Sequence, residues 1–297
     1  MRPPRAPGGT VPRLLALYAC WGSSIPAMKV MAATLPPLAA AGAVFLAGGA
    51  LLRLLARGAP RPTRPQLGRA VASGLLLFVA GQGVHTLVLR DLTASLVAIV
   101  SATNALWLAL LGAALGARLS AASAARLTAG FAGIALVLLA IPGAALGGSP
   151  LALAGAFLGV VAWSVGSLVA ARGAALPADP RVAVSTQLLA GGVALLLLAA
   201  PLGQLDPAAW QGASGASLAA AGYLLLVDSL AGFLLYVTLL RTAPVPLVAT
   251  YAYATPLVAA GLGVLVLAEP FTPLAALGAA VVLLAVAGEV RAAETAG

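Results

Sequence analysis

Residues 94–116 read ASLVAIVSATNALWLALLGAALG, twenty-three positions without one charged side chain. A helix rises about 1.5 Å per residue, so a run of this length crosses the roughly 30 Å hydrocarbon core of a bilayer. Working outward, runs of the same kind recur along nearly the whole chain. Spans are expected at 14–34, 38–56, 67–89, 94–116, 122–141, 151–172, 182–202, 217–240, 247–268 and 273–289. The connections are short and rich in proline and glycine, as at Pro36-Pro37, Pro60-Arg61-Pro62, Pro142-Gly143 and Pro244, and none is long enough to hold a soluble domain. The expected fold class is an all-α integral membrane protein with ten transmembrane helices.

Composition excludes the other classes. Of 297 residues 62% are hydrophobic and 8% charged, against about 25% charged in a soluble domain. The excess of sixteen basic over seven acidic residues would suggest nucleic acid if it formed one soluble patch, but the arginines sit in short loops, so no nucleic-acid partner is expected. Cys20 is the sole cysteine and His85 the sole histidine. No disulfide, no Cys/His metal site, no HExxH and no P-loop can be built, so no metal, cofactor or enzymatic activity is expected. The first ~35 residues, with Arg2, Arg5 and Arg13 ahead of an apolar stretch, resemble a signal peptide. No clear small-x-small cleavage site follows, and a retained first span is expected.

The loop arginines set an orientation. With the N-terminus in the cytoplasm, Arg2 to Arg13, Arg53 to Arg69, Arg118 and Arg126, Arg172 and Arg181, Arg241 and Arg291 all fall on that side. Arg90 alone falls outside, followed by Asp91. The positive-inside bias thus holds at successive loops and calls for an even number of spans with both termini cytoplasmic.

A faint internal repeat divides the chain into residues 1–145 and 146–297, five spans each. A shift of about 151 residues lays Leu96-Val97-Ala98 on Leu247-Val248-Ala249. The Trp21-Gly22-Ser23 run of the first span echoes Trp163 to Ser167 of the sixth, and the same shift sets Arg118 against Glu269. Five is odd, so the halves must face opposite ways, an arrangement typical of secondary transporters with a solute site near mid-membrane.

With these residues in view, the chain resembles the drug/metabolite transporter superfamily, specifically its EamA-like members with ten helices. The resemblance rests on Trp21-Gly22-Ser23-Ser24, on Ala162-Trp163-Ser164-Val165-Gly166-Ser167, and on Tyr251-Ala252-Tyr253-Ala254-Thr255-Pro256 with Glu269 closing the ninth span. It implies two inverted five-helix repeats in a bacterial cytoplasmic (inner) membrane. It further implies export of small metabolites or amino-acid-like compounds through a cavity formed mainly by spans one, three, four, six, eight and nine. The chain departs from such proteins at Asn104-Ala105, where a proline equivalent to Pro256 is frequent, and at Asp228, where a small neutral residue is usual.

Candidate site residues follow from the cost of burying polar groups in lipid, about 2.5–3.5 kcal/mol for a charge even on lenient scales. Asp228 lies roughly 15 Å from the outer end of the eighth span by helical rise, and is expected to be a proton carrier or the counter-charge for a cationic solute. Gly232 and Tyr236 share its face. Lys29 could pair with an acid or a solute carboxylate, or snorkel to the interface. Gln82 and His85 share a face of the third span, where His85 is either a titrating group or a helix contact. Glu269 is a gate, a structural tie or a loop residue. Trp21, Trp163, Ser167, Tyr251, Thr255 and Asn104 either line a cavity or simply pack, and Pro256 should open the ninth helix and free a carbonyl. The expected function is a secondary transporter, an exporter of small solutes, amino-acid-like compounds or drugs working by alternating access, with proton coupling through Asp228 as one option. A passive channel is the alternative. An intramembrane hydrolase built from Ser167 and His85 is the remote one.

Overall fold

The computed structural model describes residues 9–88, 91–92, 94–116, 119–140, 149–171, 176–267 and 272–295. Its elements are helical, with no strand among the described residues: α1 (Thr10–Ala32), α2 (Pro37–Leu55) and α3 (Arg64–Gly74) come first. From α3 the chain runs through a π-helical stretch, Leu75–Gly83, into α4 (Val84–Val88). Next come α5 (Ala94–Ala102), α6 (Asn104–Ala114), α7 (Ala121–Leu139), α8 (Pro150–Ala171) and α9 (Pro180–Ala199). The last group is α10 (Gly215–Tyr223), a second π-helical stretch at Leu224–Gly232, α11 (Phe233–Thr242), α12 (Val245–Ala249), α13 (Tyr251–Leu267) and α14 (Pro273–Thr295). Among the described residues, nine helical segments are long and apolar enough to cross a membrane. In lipid every backbone N–H and C=O must be satisfied within the segment, which is why these apolar runs are helical.

Helix starts are fixed locally. Thr63 and Gln66 form a reciprocal capping box on α3, the Gln66 side chain accepting from the Thr63 amide at 2.9 Å. Ser120, Ser214 and Thr272 accept from backbone amides at the starts of α7, α10 and α14. Asp179 caps α9 and is gripped by the Arg181 side chain, whose hydrogen bond holds the carboxyl below its ordinary range.

Packing joins early and late elements. Helix α2 lies along α9 and α7 along α14. Helix α1 packs on α10, the second π stretch and α13, while α8 packs on α3, the first π stretch and α6. Small residues permit these approaches. An added Cβ on Gly278 would sit 2.5 Å from the Gly133 carbonyl oxygen, and one on Gly192 would sit 2.9 Å from that of Gly42.

The ends differ in chemistry. At one end, Arg181 donates to the Leu55 carbonyl at 3.0 Å, Arg241 donates to that of Pro177 at 3.1 Å, and Arg126 pairs with Glu289 at 2.7 Å. At the other end, Gln204 accepts from the Leu38 and Ala39 amides, and Thr34 bonds Ser217 at 2.8 Å. The arginine-bearing turns therefore gather at one end of the bundle.

Pro256 falls inside α13 rather than at its interruption, which lies earlier, at Thr250 between α12 and α13. A matching interruption at Thr103 divides α5 from α6 without any proline.

Candidate functional site

The two interruptions are built alike. At Thr103 the amide and hydroxyl both turn back to the Val100 carbonyl, at 3.1 and 2.6 Å, and the Thr103 carbonyl accepts from Leu106 and Trp107. At Thr250 the amide and hydroxyl turn back to the Leu247 carbonyl, at 3.3 and 2.6 Å, and its carbonyl accepts from Tyr253 and Ala254. A threonine hydroxyl bonding the preceding turn competes with the regular ladder and bends a helix. Because the Thr250 proton goes to Leu247, the Tyr18 hydroxyl is the donor in the bond between Tyr18 and Thr250.

Each threonine is followed by the residue that reaches the middle of the bundle. Asn104 donates to the Tyr251 hydroxyl across 147 positions of sequence, and Ser164 of α8 donates to the Asn104 side-chain oxygen. Trp163 donates its indole N–H to the same Tyr251 oxygen at 2.6 Å. Tyr236 of α11 donates to Ser167 at 2.6 Å, and Ser167 donates to the Trp163 carbonyl at 2.7 Å. The Tyr251 oxygen thus serves two donors, and among the described residues its own proton faces only the Tyr236 oxygen, 3.5 Å away, well beyond the roughly 2.7–2.8 Å of a normal O–H···O bond.

Aromatic rings close over this network. Trp21 sits at the centre, with ring centroids of Tyr236, Tyr251, Phe233 and Trp163 at 4.8, 5.0, 5.2 and 6.0 Å. Most of these contacts are edge-on or tilted, the arrangement the ring quadrupoles favour. Glycines set the distances. An added Cβ on Gly232 would meet the Trp21 Nε1 at 2.5 Å, one on Gly81 would meet Trp163 at 2.9 Å, and one on Gly22 would meet Val258 at 2.5 Å. Both π stretches thus present a glycine to a tryptophan of the neighbouring span, consistent with π geometry appearing at functional positions.

Asp228 lies in the second π stretch, 5% exposed. Its carboxylate lies near Ser24 of α1, whose hydroxyl donates to the Cys20 carbonyl at 2.7 Å. Gln82, in the first π stretch, donates to the Met28 sulfur of α1 at 3.7 Å. Thr255 is buried with its hydroxyl unpartnered among the described residues, as is the indole N–H of Trp21. Pro256 is half-buried. The side chains of Lys29 and His85, and the whole of Glu269, lie outside the described residues. Ser167 is occupied by Tyr236 and the Trp163 carbonyl, partners that supply no general base for a nucleophilic serine.

The structure therefore brings together Trp21, Asn104, Trp163, Ser167 and Tyr251, and adds Ser164, Phe233 and Tyr236. Phe233 gave no signal in the sequence beyond its place after Gly232. The threonines did: Ala102-Thr103-x-Ala105 matches Ala249-Thr250-x-Ala252 at a spacing of 147 residues, and Leu75-Leu76-Leu77 matches Leu224-Leu225-Leu226 at 149. The single shift of about 151 passes over both. An apolar groove lined by Arg53, Val71, Leu75, Leu189 and Leu197 includes no residue of the cluster around Trp21 and Tyr251.

Comparison with known proteins agrees with this architecture. Residues 12–139 and 150–290 match the EamA-like transporter family. Proteins named "Uncharacterized inner membrane transporter YedA" from Escherichia coli, in strain K12 and in O157:H7, are 32% identical over 253 residues, covering 84% of this chain and 80% of theirs. A solved crystal structure at 22% identity superposes with a TM-score of 0.82, covering 97% of this chain and 98% of the other, which establishes a common fold.

Proposed function

The chain belongs to the EamA-like transporter family, and from that premise we propose that it is a secondary transporter of the bacterial inner membrane that exports a small organic solute by alternating access. The observation that carries this reading is the meeting of Asn104 and Tyr251, each the first residue after a threonine interruption, in the middle of the bundle. Irregular backbone at membrane depth is tolerated where it serves a cavity or is buried in protein, and paired discontinuous helices are the usual frame of a transporter's solute site.

Ten spans are counted when the helical run 64–88 is taken as the third, and two inverted halves then comprise residues 1–145 and 146–297. This organisation is supported by the way contacts fall in pairs: the first span on the eighth and ninth, the sixth on the third and fourth, the second on the seventh, the fifth on the tenth. In the conformation described, Trp21, Tyr236 and Tyr251 are 7%, 0% and 7% exposed, so the centre is closed. A closed centre supports a carrier over a permanently open pore. Opening separates Asn104 from Tyr251, at a net cost of about 0.5–1.5 kcal/mol per hydrogen bond, and the solute takes up the polar groups that are released.

The test is flux in proteoliposomes with a panel of labelled amino acids and organic cations, with and without a proton gradient. Saturable flux that exchanges one labelled solute for another is expected. Flux that rises linearly with concentration and shows no exchange would make the protein a channel.

A further inference from the structure

We infer that the solute is an organic cation bearing an apolar or aromatic body, its charge held between the Asp228 carboxylate and the rings around Trp21. The inference deepens the transport reading and rests on it. Its basis is the geometry of two helices. Along α1, Trp21 and Ser24 are three residues apart, one above the other on one face. Along the second π stretch, Asp228 and Gly232 are four apart. Asp228 lies near Ser24, and an added Cβ on Gly232 would meet the Trp21 indole nitrogen at 2.5 Å. The carboxylate is thus about one helical turn from the indole, at the edge of the ring cluster.

The cluster itself has the composition of a cation cage. Trp21, Trp163, Phe233, Tyr236 and Tyr251 keep centroid separations of 4.8 to 6.3 Å. Ring faces carry negative potential, and ammonium groups are recognised within about 6 Å of a ring centroid. The hydroxyl and amide groups that hold the rings are largely spent on one another, so what the cage offers a solute, once the closed centre opens and the edge-to-face ring contacts part, is its faces. The corresponding position of the first π stretch, counting each from its opening leucine, is Val79. Among the described residues a carboxylate therefore stands on the Asp228 side of the cage and valine at its counterpart, which fits a solute with one positive end and one apolar end. The buried Trp21 N–H, unpartnered among the described residues, is a donor for an acceptor atom on that solute.

Binding of three probes of one shape tests this. The full chain in lipid nanodiscs is titrated calorimetrically, with empty nanodiscs subtracted, using trimethyl(2-phenylethyl)ammonium, its uncharged carbon isostere (3,3-dimethylbutyl)benzene, and the anion 3-phenylpropionate. The cation should bind at least ten-fold more tightly than either of the others. Asp228→Asn should abolish the preference and Asp228→Glu should keep it, while Tyr236→Leu should weaken cation binding several-fold. Equal affinity for cation and isostere in the native protein, or an undiminished preference in folded Asp228→Asn, overturns the inference. The native comparison decides even if the variants fail to fold. Flux separates this failure from that of the transport reading. Cation binding with no saturable flux removes the carrier and leaves the site, whereas saturable flux of neutral or anionic solutes without cation preference removes the site and leaves the carrier.

Discussion

Tyr251 accepts two buried donors on one oxygen, the Asn104 amide and the Trp163 indole, and Tyr251→Phe would strand both. A buried donor left unsatisfied costs about 1–3 kcal/mol, so this variant should lower the thermal unfolding midpoint in detergent and weaken solute binding together. Thr255→Val is the contrasting case, because the Thr255 hydroxyl is buried without a partner among the described residues. Exchanging an unsatisfied buried polar group for an apolar one of the same shape is nearly neutral, so stability should change by less than about 0.5 kcal/mol. A large midpoint loss in Thr255→Val, with none in Tyr251→Phe, would reverse these assignments. The sequence marks Trp21, Asn104, Trp163 and Tyr251 because tryptophans and amides are costly inside a span and so stand out. Phe233 does not stand out, since one more apolar ring in an apolar span carries no pattern until its neighbours are placed.

At the scale of elements, the interruptions of the fourth and ninth spans were half legible. Proline lacks the amide that would bond the carbonyl four residues back, so Pro256 is expected to open the ninth helix, but it lies inside α13 and the break falls six residues earlier, at Thr250. The break at Thr103 has no proline to announce it. What the two share is the threonine hydroxyl folded onto the preceding turn, which makes the threonine the common cause. Removing one hydroxyl should cost about 0.5–1.5 kcal/mol. Flux at matched expression should fall more in Thr250→Val than in Pro256→Ala, and Thr103→Val should fall in the same direction as Thr250→Val. If Pro256→Ala alone reduces flux, the proline sets the hinge and the threonines only decorate it. Most helix ends, by contrast, were readable from the sequence to within a few residues, because length and absence of charge fix them, although the last helix runs on to Thr295 instead of ending at Glu289 and the expected third span is not among the nine membrane-length segments of the described residues. The π stretches were not readable, since Leu75–Gly83 and Leu224–Gly232 differ from ordinary apolar helix only in the close approach of tryptophans from other spans.

For the whole molecule, the bundle geometry gathers arginine-bearing turns at one end, and the arginine asymmetry predicts which side that end faces. Contacts from Arg181 to Leu55 and from Arg241 to Pro177 place the turn after α2, the segment before α9 and the end of α11 at one end. Bonds from Gln204 and Thr34 place the turn before α2 and the start of α10 at the other. Loops rich in arginine stay cytoplasmic, so the first end should face the cytoplasm. Exposed glycines with open space where a Cβ would go offer probes at both ends: Gly58 beyond α2 and Gly212 before α10. In a Cys20→Ser background, a membrane-impermeant maleimide applied to intact cells should label Gly212→Cys and spare Gly58→Cys, and permeabilisation should expose both. Labelling of Gly58→Cys in intact cells would invert the protein in the membrane. In the expected orientation Asp228 lies on the outer side of the ring cage, because the chain runs from Ser217 at the Thr34 end through Asp228 and Gly232 to Arg241; inversion would turn that side toward the cytoplasm, and the direction of transport would have to be reassigned with it.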